Sequence, residues 1–197
     1  MDIMKSIFRS KQWKTPLKLN QKEGMCAAYA LTNCMAAKPY NLPLRGWMAE
    51  ALFERAKKLD RIPGESYVGT DLQGVMQAGK EMKWFEHYRT TTDLDDIIDR
   101  VFNHGPVIFG FNRRSNMFSK TTGEMGATMH GQLPQGGYPV DNHVVTLSGF
   151  GKLGGYFTAL NTYGPKWERG GCCYIHRDYM ETLLREGAEV AIPLIEV

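Results

Sequence analysis

Three residues that lie far apart in the sequence, a cysteine, a histidine and an asparagine, could together activate a thiol for attack on a carbonyl carbon. Cys26 follows a polar, Gly-containing loop and opens an Ala-rich stretch that predicts a helix. The first N–H groups of a helix lack intrahelical partners and carry partial positive charge, so a thiol placed there is pushed toward the nucleophilic thiolate. A lone cysteine in such a helix is more often a small buried hydrophobe, and its interpretation therefore depends on partners elsewhere in the chain.

Candidate partners occur in the second half of the sequence. His143 heads an apolar stretch that predicts a β-strand, and Asn161 ends the next predicted strand. If these strands are adjacent and antiparallel, both side chains lie at the same end of the hairpin, where an asparagine oxygen can hold the imidazole in one tautomer. The other ring nitrogen would face Cys26, which gives a nucleophile, a base and an orienting group. Gln21, in the loop before Cys26, could donate its amide to an oxyanion that forms beside the sulfur.

The elements that must position these residues fall into two halves. Helical spacing of apolar residues and capping signals predict helices over 26–38, 43–60, about 70–81 and 94–102. Apolar, β-rich runs predict strands over 106–111, 143–150, 155–161, 171–176 and 189–195, with a short helix over 178–186.

Helices before strands predict an α+β fold built as a single domain over 1–197. An N-terminal arm over 1–19 would lead into a helical lobe over about 20–90, followed by a β-rich lobe over about 91–197. Residues 113–141 show no periodic pattern, and we expect them to form a long surface loop that helps to shape a substrate pocket.

Composition excludes several classes of protein. The chain has 197 residues, 43% of them hydrophobic, and a formal net charge of +3. Its Lys and Arg residues are too dispersed to predict nucleic-acid binding, and its apolar runs are too short to predict a membrane span. The start of the sequence lacks the pattern of a secretory signal peptide, so we expect a cytoplasmic protein or one incorporated into a virion. The four cysteines lack the paired spacing of a zinc site, and neither a metal nor another cofactor is predicted.

Three segments resemble the motifs of the papain-like cysteine peptidases and occur in that family's order. Residues 21–29 look like its oxyanion-glutamine and active-site-cysteine motif. His143-Val144-Val145 with Gly149-Phe150-Gly151 is similar to its His-Ala-Val and Gly-Tyr-Gly strand. Asn161-Thr162-Tyr163-Gly164-Pro165-Lys166-Trp167 is similar to its Asn-Ser-Trp-Gly motif. Residues 57–64 before Gly69-Thr70 resemble the bacterial and phage-type branch, and the likeness spans roughly residues 12–195.

The resemblance implies a two-lobed fold, in which a helical lobe and an antiparallel β-barrel-like lobe enclose a cleft. It implies hydrolysis of peptide bonds through a thioester acyl-enzyme, with Cys26 as nucleophile, His143 as general base and then acid, and Asn161 orienting His143. Gln21 and the Cys26 backbone N–H would form the oxyanion hole, with Asn20 as the alternative donor. The residues that would line the substrate cleft or cover the His-Asn pair are Gly69, Asn142, Tyr163 and Trp167. A peptide or protein substrate is the implied partner.

Departures from the family's pattern leave other functions open. Ala27 follows the cysteine where the family usually has an aromatic residue or threonine, and the family's disulfide framework is missing. Gln21 lies close to the start of the sequence, as in a mature enzyme, so we expect no inhibitory pro-segment. The alternatives are an inactive papain-fold structural or binding component, for example one that assembles into a phage particle, and a wall-lysing peptidoglycan hydrolase of the same fold.

Overall fold

The described residues, 10–61, 68–117, 137–168 and 170–195, form one sheet with helices on both of its faces in this computed structural model. Helices α1 to α5 span Cys26–Ala36, Gly46–Ala56, Leu72–Glu81, Leu94–Asp99 and Arg177–Arg185, and a π-helical turn over Arg100–His104 follows α4. Strands β1 to β7 span Ser10–Gln12, His87–Thr91, Val107–Arg114, Pro139–Gly151, Tyr156–Leu160, Cys172–His176 and Glu189–Leu194. None of these helices is long and apolar enough to cross a membrane.

The strands pair in the order β2-β7-β3-β4-β5-β6, and β1 pairs with the end of β4. Every pairing is antiparallel. The α+β class and the helical first half are therefore confirmed, and the barrel-like second lobe is not strictly closed, because the sheet is open between β2 and β6. Side chains of α4, the π-helical turn and α5 fill the core on one face of the sheet. They cover the apolar surface that closure of a barrel would bury.

Within the described part of the chain, two hydrophobic cores lie on opposite faces of the sheet. Ile108, Val144 and Ala191 of three neighbouring strands pack against α1, α2 and α3. Their chain neighbours Phe109 and Val145 pack into the core with α4 and α5. This alternation follows from the two-residue period of a strand, and it makes β3, β4 and β7 the shared wall of the two halves.

Helix α1 is the central helix of the first half. Every residue from Ala27 to Ala36 is buried, which explains why its apolar positions follow no single stripe. α3 begins as its cap signal predicts, because the Asp71 side chain accepts a hydrogen bond from the Gly74 backbone N at 2.5 Å.

The N-terminal arm ties the two halves together. Trp13 Nε1 donates to the carbonyl of Val101 at 2.6 Å, while the Thr15 hydroxyl donates to the carbonyl of Asn33 in α1 at 3.1 Å. Further along the arm, Lys18 Nζ donates to the carbonyl of Gly170 at 2.7 Å. The arm therefore reaches the loop before Cys26 already fixed to both halves of the fold.

The sequence-based assignments differ most from the structure around residues 113–141 and at two short strands. The predicted loop over 113–141 is shorter, because β3 continues to Arg114 and β4 begins at Pro139. Residues 118–136 of that loop lie outside the described residues. Strands β1 and β2 were not predicted. β1 pairs beside the end of β4, and β2 forms one edge of the sheet. Both are largely exposed, so neither shows an alternation of apolar and polar residues.

Candidate active site

Cys26 is the first residue of α1, as the sequence predicts. The residue before it, Met25, provides no side-chain cap for the helix, so the N–H groups of the first turn lack that partner. Cys26 is half-buried, whereas the other three cysteines are buried. Cys34, two turns later, lies within hydrogen-bond distance of the Pro106 carbonyl at 3.3 Å, and burial raises the pKa of its thiol. Cys26 is therefore the most accessible of the four thiols.

The antiparallel pairing of β4 with β5 brings His143 and Asn161 to the same end of the hairpin. His143 Nε2 lies 2.8 Å from Asn161 Oδ1, and both residues are buried. The same Oδ1 accepts a hydrogen bond from the backbone N of Thr162 at 2.7 Å. Because a backbone nitrogen can only donate, the amide oxygen is assigned by its surroundings, and His143 Nε2 must carry the proton it shares. Nδ1 is then the ring nitrogen that can take up a proton from a thiol.

Aromatic rings surround the His143–Asn161 pair. The Tyr163 ring lies 5.4 Å from the His143 ring between centroids, and Phe111 meets His143 edge-on at 6.1 Å. Trp167 packs behind Tyr163 at 5.8 Å and belongs to the hydrophobic core. These rings exclude water from the pair, which strengthens its hydrogen bond.

The pKa of Tyr163 is shifted by its surroundings, which include Cys26. Burial raises the pKa of the Tyr163 phenol, the guanidinium of Arg113 opposes that rise, and the Cys26 thiol adds to it. The Tyr163 ring contacts His143, and Tyr163, His143 and Cys26 line the same cavity.

An open cavity of about 660 Å³ joins the residues that the sequence singled out. Its lining includes six of the predicted site residues, namely Gln21, Cys26, Gly69, Asn142, His143 and Tyr163. Asn161 lies behind His143, and Trp167 lies behind Tyr163 rather than on the cavity wall. The volume falls within the range of about 300–1,000 Å³ that is usual for ligand pockets.

The two candidate oxyanion donors occupy different environments. Gln21 lines the cavity, its backbone N donates to the Thr162 carbonyl at 2.6 Å, and its Oε1 accepts from the Thr162 hydroxyl. That bond commits the oxygen, so the amide Nε2 is the end that can donate. Asn20 is exposed, forms a backbone bridge with Tyr163 and is not part of the cavity lining.

Gly24 holds the loop before Cys26 close to the far wall of the cavity. Its φ is +73°, and a Cβ at this position would lie 2.4 Å from the carbonyl oxygen of Val68. Only glycine fits both the left-handed conformation and this approach. The loop that carries Gln21 is thereby packed against the segment that leads to Gly69.

A bidentate ion pair at the rim was not predicted from the sequence. Arg113 Nε and Nη2 each donate to one oxygen of Asp141 at 2.6 Å, and Asp141 lines the cavity. The two residues are cross-strand partners of β3 and β4. The aperiodic 113–141 stretch predicts a loop, so the sequence contained no register that could pair them. Throughout the described ranges, no group of three or more His, Cys, Asp or Glu side chains is arranged to hold a metal ion.

Comparisons with known proteins bear on the fold. No protein-family model matches the sequence, and no curated protein matches it significantly. Among solved structures, xylellain, a cysteine protease from Xylella fastidiosa, matches with a TM-score of 0.72 at 12% identity and covers 98% of this chain and 88% of its own. The chain has a papain-like fold.

Two plant enzymes support the same conclusion. The bromelain protease from Ananas comosus, in complex with the E64 inhibitor, matches with a TM-score of 0.63 at 16% identity and covers 98% of this chain and 96% of its own. The cysteine protease CMS1MS2 from Carica candamarcensis, in complex with E-64, has a TM-score of 0.60 at 14% identity and covers 95% of this chain and 99% of its own. At these identities the likeness concerns the papain-like fold and leaves the chemistry to be argued from this chain's own residues.

Proposed function

We propose that the chain is a cysteine peptidase that hydrolyses peptide bonds through a thioester acyl-enzyme. The observation that carries this proposal is the buried hydrogen bond between His143 Nε2 and Asn161 Oδ1, on the wall of the cavity that Cys26 lines from a helix start. It supplies a base in a fixed tautomer beside an accessible thiol, which is the arrangement that nucleophilic catalysis needs.

In the first half of the reaction, His143 Nδ1 takes the proton of the Cys26 thiol. The thiolate attacks the carbonyl carbon of the peptide bond, and the carbonyl oxygen becomes an oxyanion. Gln21 Nε2 and the Cys26 backbone N–H donate to that oxyanion. The imidazolium then gives its proton to the leaving amine, the C–N bond breaks, and the acyl group remains on sulfur as a thioester.

In the second half, His143 takes a proton from water, and the resulting hydroxide equivalent attacks the thioester carbonyl. The C–S bond breaks, the thiolate recovers its partner imidazolium, and the carboxylate product leaves. Asn161 Oδ1 holds the ring throughout by accepting a hydrogen bond from the Nε2–H group of His143. Tyr163 and Phe111 keep bulk water from that bond.

Gly69-Thr70 and the neighbouring helix start also support placing the enzyme with the bacterial and phage-type peptidases, in line with the match to the enzyme from Xylella fastidiosa. Action on a peptide or protein in the cytoplasm or in a virion stays a prediction from the sequence.

Site-resolved alkylation of the native protein tests the chemistry directly. We expect iodoacetamide to modify Cys26 well below the ordinary thiol pKa of about 8.5, because an imidazolium partner stabilises the thiolate. Cys34 is the internal control, since its buried thiol, with a raised pKa, should react only after unfolding. His143→Ala should abolish the low-pH reaction. E-64, the inhibitor bound in the two plant structures, should protect Cys26.

The contrary result is equally specific. If Cys26 reacts no faster than an ordinary thiol and His143→Ala changes nothing, the pair does not form a catalytic unit. The fold would then serve a binding or structural role. The wild-type protein should in that case hydrolyse a peptide library no faster than the Cys26→Ala variant does.

A further inference from the structure

The ion pair at the cavity rim lies on the same face of the sheet as the candidate base. Arg113 and Asp141 are register partners on β3 and β4. Two residues along the same strands, Phe111 and His143 are partners as well. Since side chains alternate between the two faces of a strand, all four lie on one face, and Asp141 is about 7 Å along β4 from His143. The register shifts directly after Arg113, so the ion pair is the last pair in the regular register of these strands.

The ion pair has a fixed geometry. Arg113 Nε and Nη2 donate to the two oxygens of Asp141, each at 2.6 Å. The Arg113 side chain is only 16% exposed, whereas that of Asp141 is 50% exposed and, like Tyr163, lines the open cavity. Such pairs contribute little to stability when exposed, and taking a guanidinium out of water is unfavourable. What the planar guanidinium does supply is one fixed arrangement of both side chains, which a lysine could not provide.

The Tyr163 ring borders both the ion pair and the candidate base. Its centroid lies 5.4 Å from that of His143, and Trp167 packs against it at 5.8 Å. Burial raises the pKa of the Tyr163 phenol, Arg113 opposes that rise, and the Asp141 carboxylate adds to it. Tyr163 in turn adds to the rise in the pKa of Arg113, whose main cause is the hydrogen bond to Asp141. The phenol and the ion pair therefore interact, while the same ring contacts His143.

We propose that the Arg113–Asp141 pair positions the Tyr163 ring over the buried hydrogen bond of the candidate base. This role rests on the proposed peptidase function and adds two positioning residues to its site. With Asp141 fixed at the cavity wall, the phenol keeps one place beside the ion pair. Without the pair, the ring can turn toward the open cavity, water reaches the bond between His143 and Asn161, and that bond weakens.

A direct effect of charge on the imidazole is the competing explanation, and it predicts a different pattern. The titratable and charged groups around the imidazole and the cavity are Cys26 of α1, Glu23 in the loop before it, Arg113 of β3, Asp141 of β4 and Tyr163 after β5. Loss of Arg113 alone would leave a carboxylate that favours the imidazolium, and loss of the Asp141 charge would leave a guanidinium that disfavours it. Opposite shifts in the two variants therefore indicate charge, and shifts in the same direction indicate positioning.

The pH dependence of Cys26 alkylation by iodoacetamide measures the effect in the full chain. On its acid limb, Cys26 loses reactivity as the thiolate is protonated. Arg113→Met and Asp141→Asn should each move this limb up by about one pH unit, a roughly tenfold slower reaction on that side, because a weaker hydrogen bond stabilises the imidazolium less. Arg89→Met is the matched control, since it removes a bidentate pair with Asp96 that does not line the cavity, and it should leave the limb in place.

Arg113→Lys separates the charge from the geometry. It keeps the positive charge and lacks the planar guanidinium, so it should shift the acid limb as Arg113→Met does. It also gives the same test if Arg113→Met does not fold.

A double-mutant cycle shows whether the ion pair acts through Tyr163. Tyr163→Leu removes the ring and should cause the same upward shift. In that background Arg113→Met should add nothing further, because the ring that the pair positions is gone. NMR exchange of the His143 Nε2 proton with water is an independent measurement, and it should be faster in Arg113→Met than in the wild-type protein.

Three results would overturn the positioning role. They are opposite shifts in Arg113→Met and Asp141→Asn, an unchanged acid limb in both variants, and a full further shift when Arg113→Met is added to Tyr163→Leu. In each of these cases, hydrolysis of a peptide library that Cys26→Ala abolishes would leave the peptidase function standing. Upward shifts in both variants without any hydrolysis by the wild-type protein would support the positioning pair and refute the peptidase function.

Discussion

Asn161→Ala should both destabilise the fold and slow the thiol chemistry, because one buried oxygen serves two donors. Asn161 Oδ1 accepts from His143 Nε2 at 2.8 Å and from the Thr162 backbone N at 2.7 Å. Asn161 and Thr162 are fully buried, and His143 is 4% exposed. Water therefore has no access to either donor while the fold stays closed.

The magnitude follows from the two orphaned donors. A buried donor left without a partner costs about 1–3 kcal/mol, so the substitution should lower the free energy of unfolding by about 2–6 kcal/mol. Domains are usually stable by about 5–15 kcal/mol, so this is a large fraction of the total. For a chain of this length, 1 kcal/mol shifts Tm by about 2–4 °C, which predicts a loss of about 4–24 °C.

Urea unfolding and alkylation of Cys26 at mildly acidic pH together form the assay. The matched control is Asn103→Ala, which removes an exposed asparagine that donates to Asp99 at 2.6 Å and should change stability by less than about 0.5 kcal/mol. If Asn161→Ala destabilises no more than Asn103→Ala, the two hydrogen bonds are misassigned. If stability falls while the rate of Cys26 alkylation stays that of the wild type, Asn161 supports the loop but does not orient His143.

Two further predictions concern the oxyanion donor and the buried thiols. Gln21→Ala should lower kcat for peptide hydrolysis by about 10²–10³-fold and leave Cys26 alkylation unchanged, because the donor acts on the transition state. Asn20→Ala is the matched control. An equal loss of kcat in both variants would contradict the assignment of Gln21 as the oxyanion donor. Burial raises the pKa of the Cys34, Cys172 and Cys173 thiols, so they stay protonated in the folded chain while the unfolded chain ionises above about pH 8.5. The unfolded state then binds fewer protons, and the stability present below that pH should fall by up to about 1.4 kcal/mol per pH unit for each thiol. Urea unfolding at several pH values measures the slope, which Cys34→Ala should reduce by one proton; an unchanged slope would mean that Cys34 does not contribute.

The candidate triad could be predicted because each member lies in or directly beside an element with a strong local signal. Cys26 opens an Ala-rich helix, His143 lies in an apolar strand, and Asn161 directly follows the next strand. Two strands that follow each other in the chain usually pair, so their shared end was predictable from chain order. The open sheet was not predictable in this way, because closure depends on whether helices α4 and α5 or other strands cover the inner face.

The set of charged residues that line the cleft depends on pairings that the sequence does not show. The sequence contains Glu23, Asp71, Asp141 and Glu189 at widely separated positions, and nothing in their spacing predicts that they line one cleft. The fold brings the four carboxylates to one cleft, then neutralises Asp71 and Asp141 with arginines that approach from the loop before α3 and from β3. What a ligand meets is therefore set by the register of β3 against β4 and β7, and not by the number of charges in the chain. A shift of that register by one residue would turn Gly110 and Glu189 to the opposite face, so the lining of the cleft depends on the same pairing that positions His143.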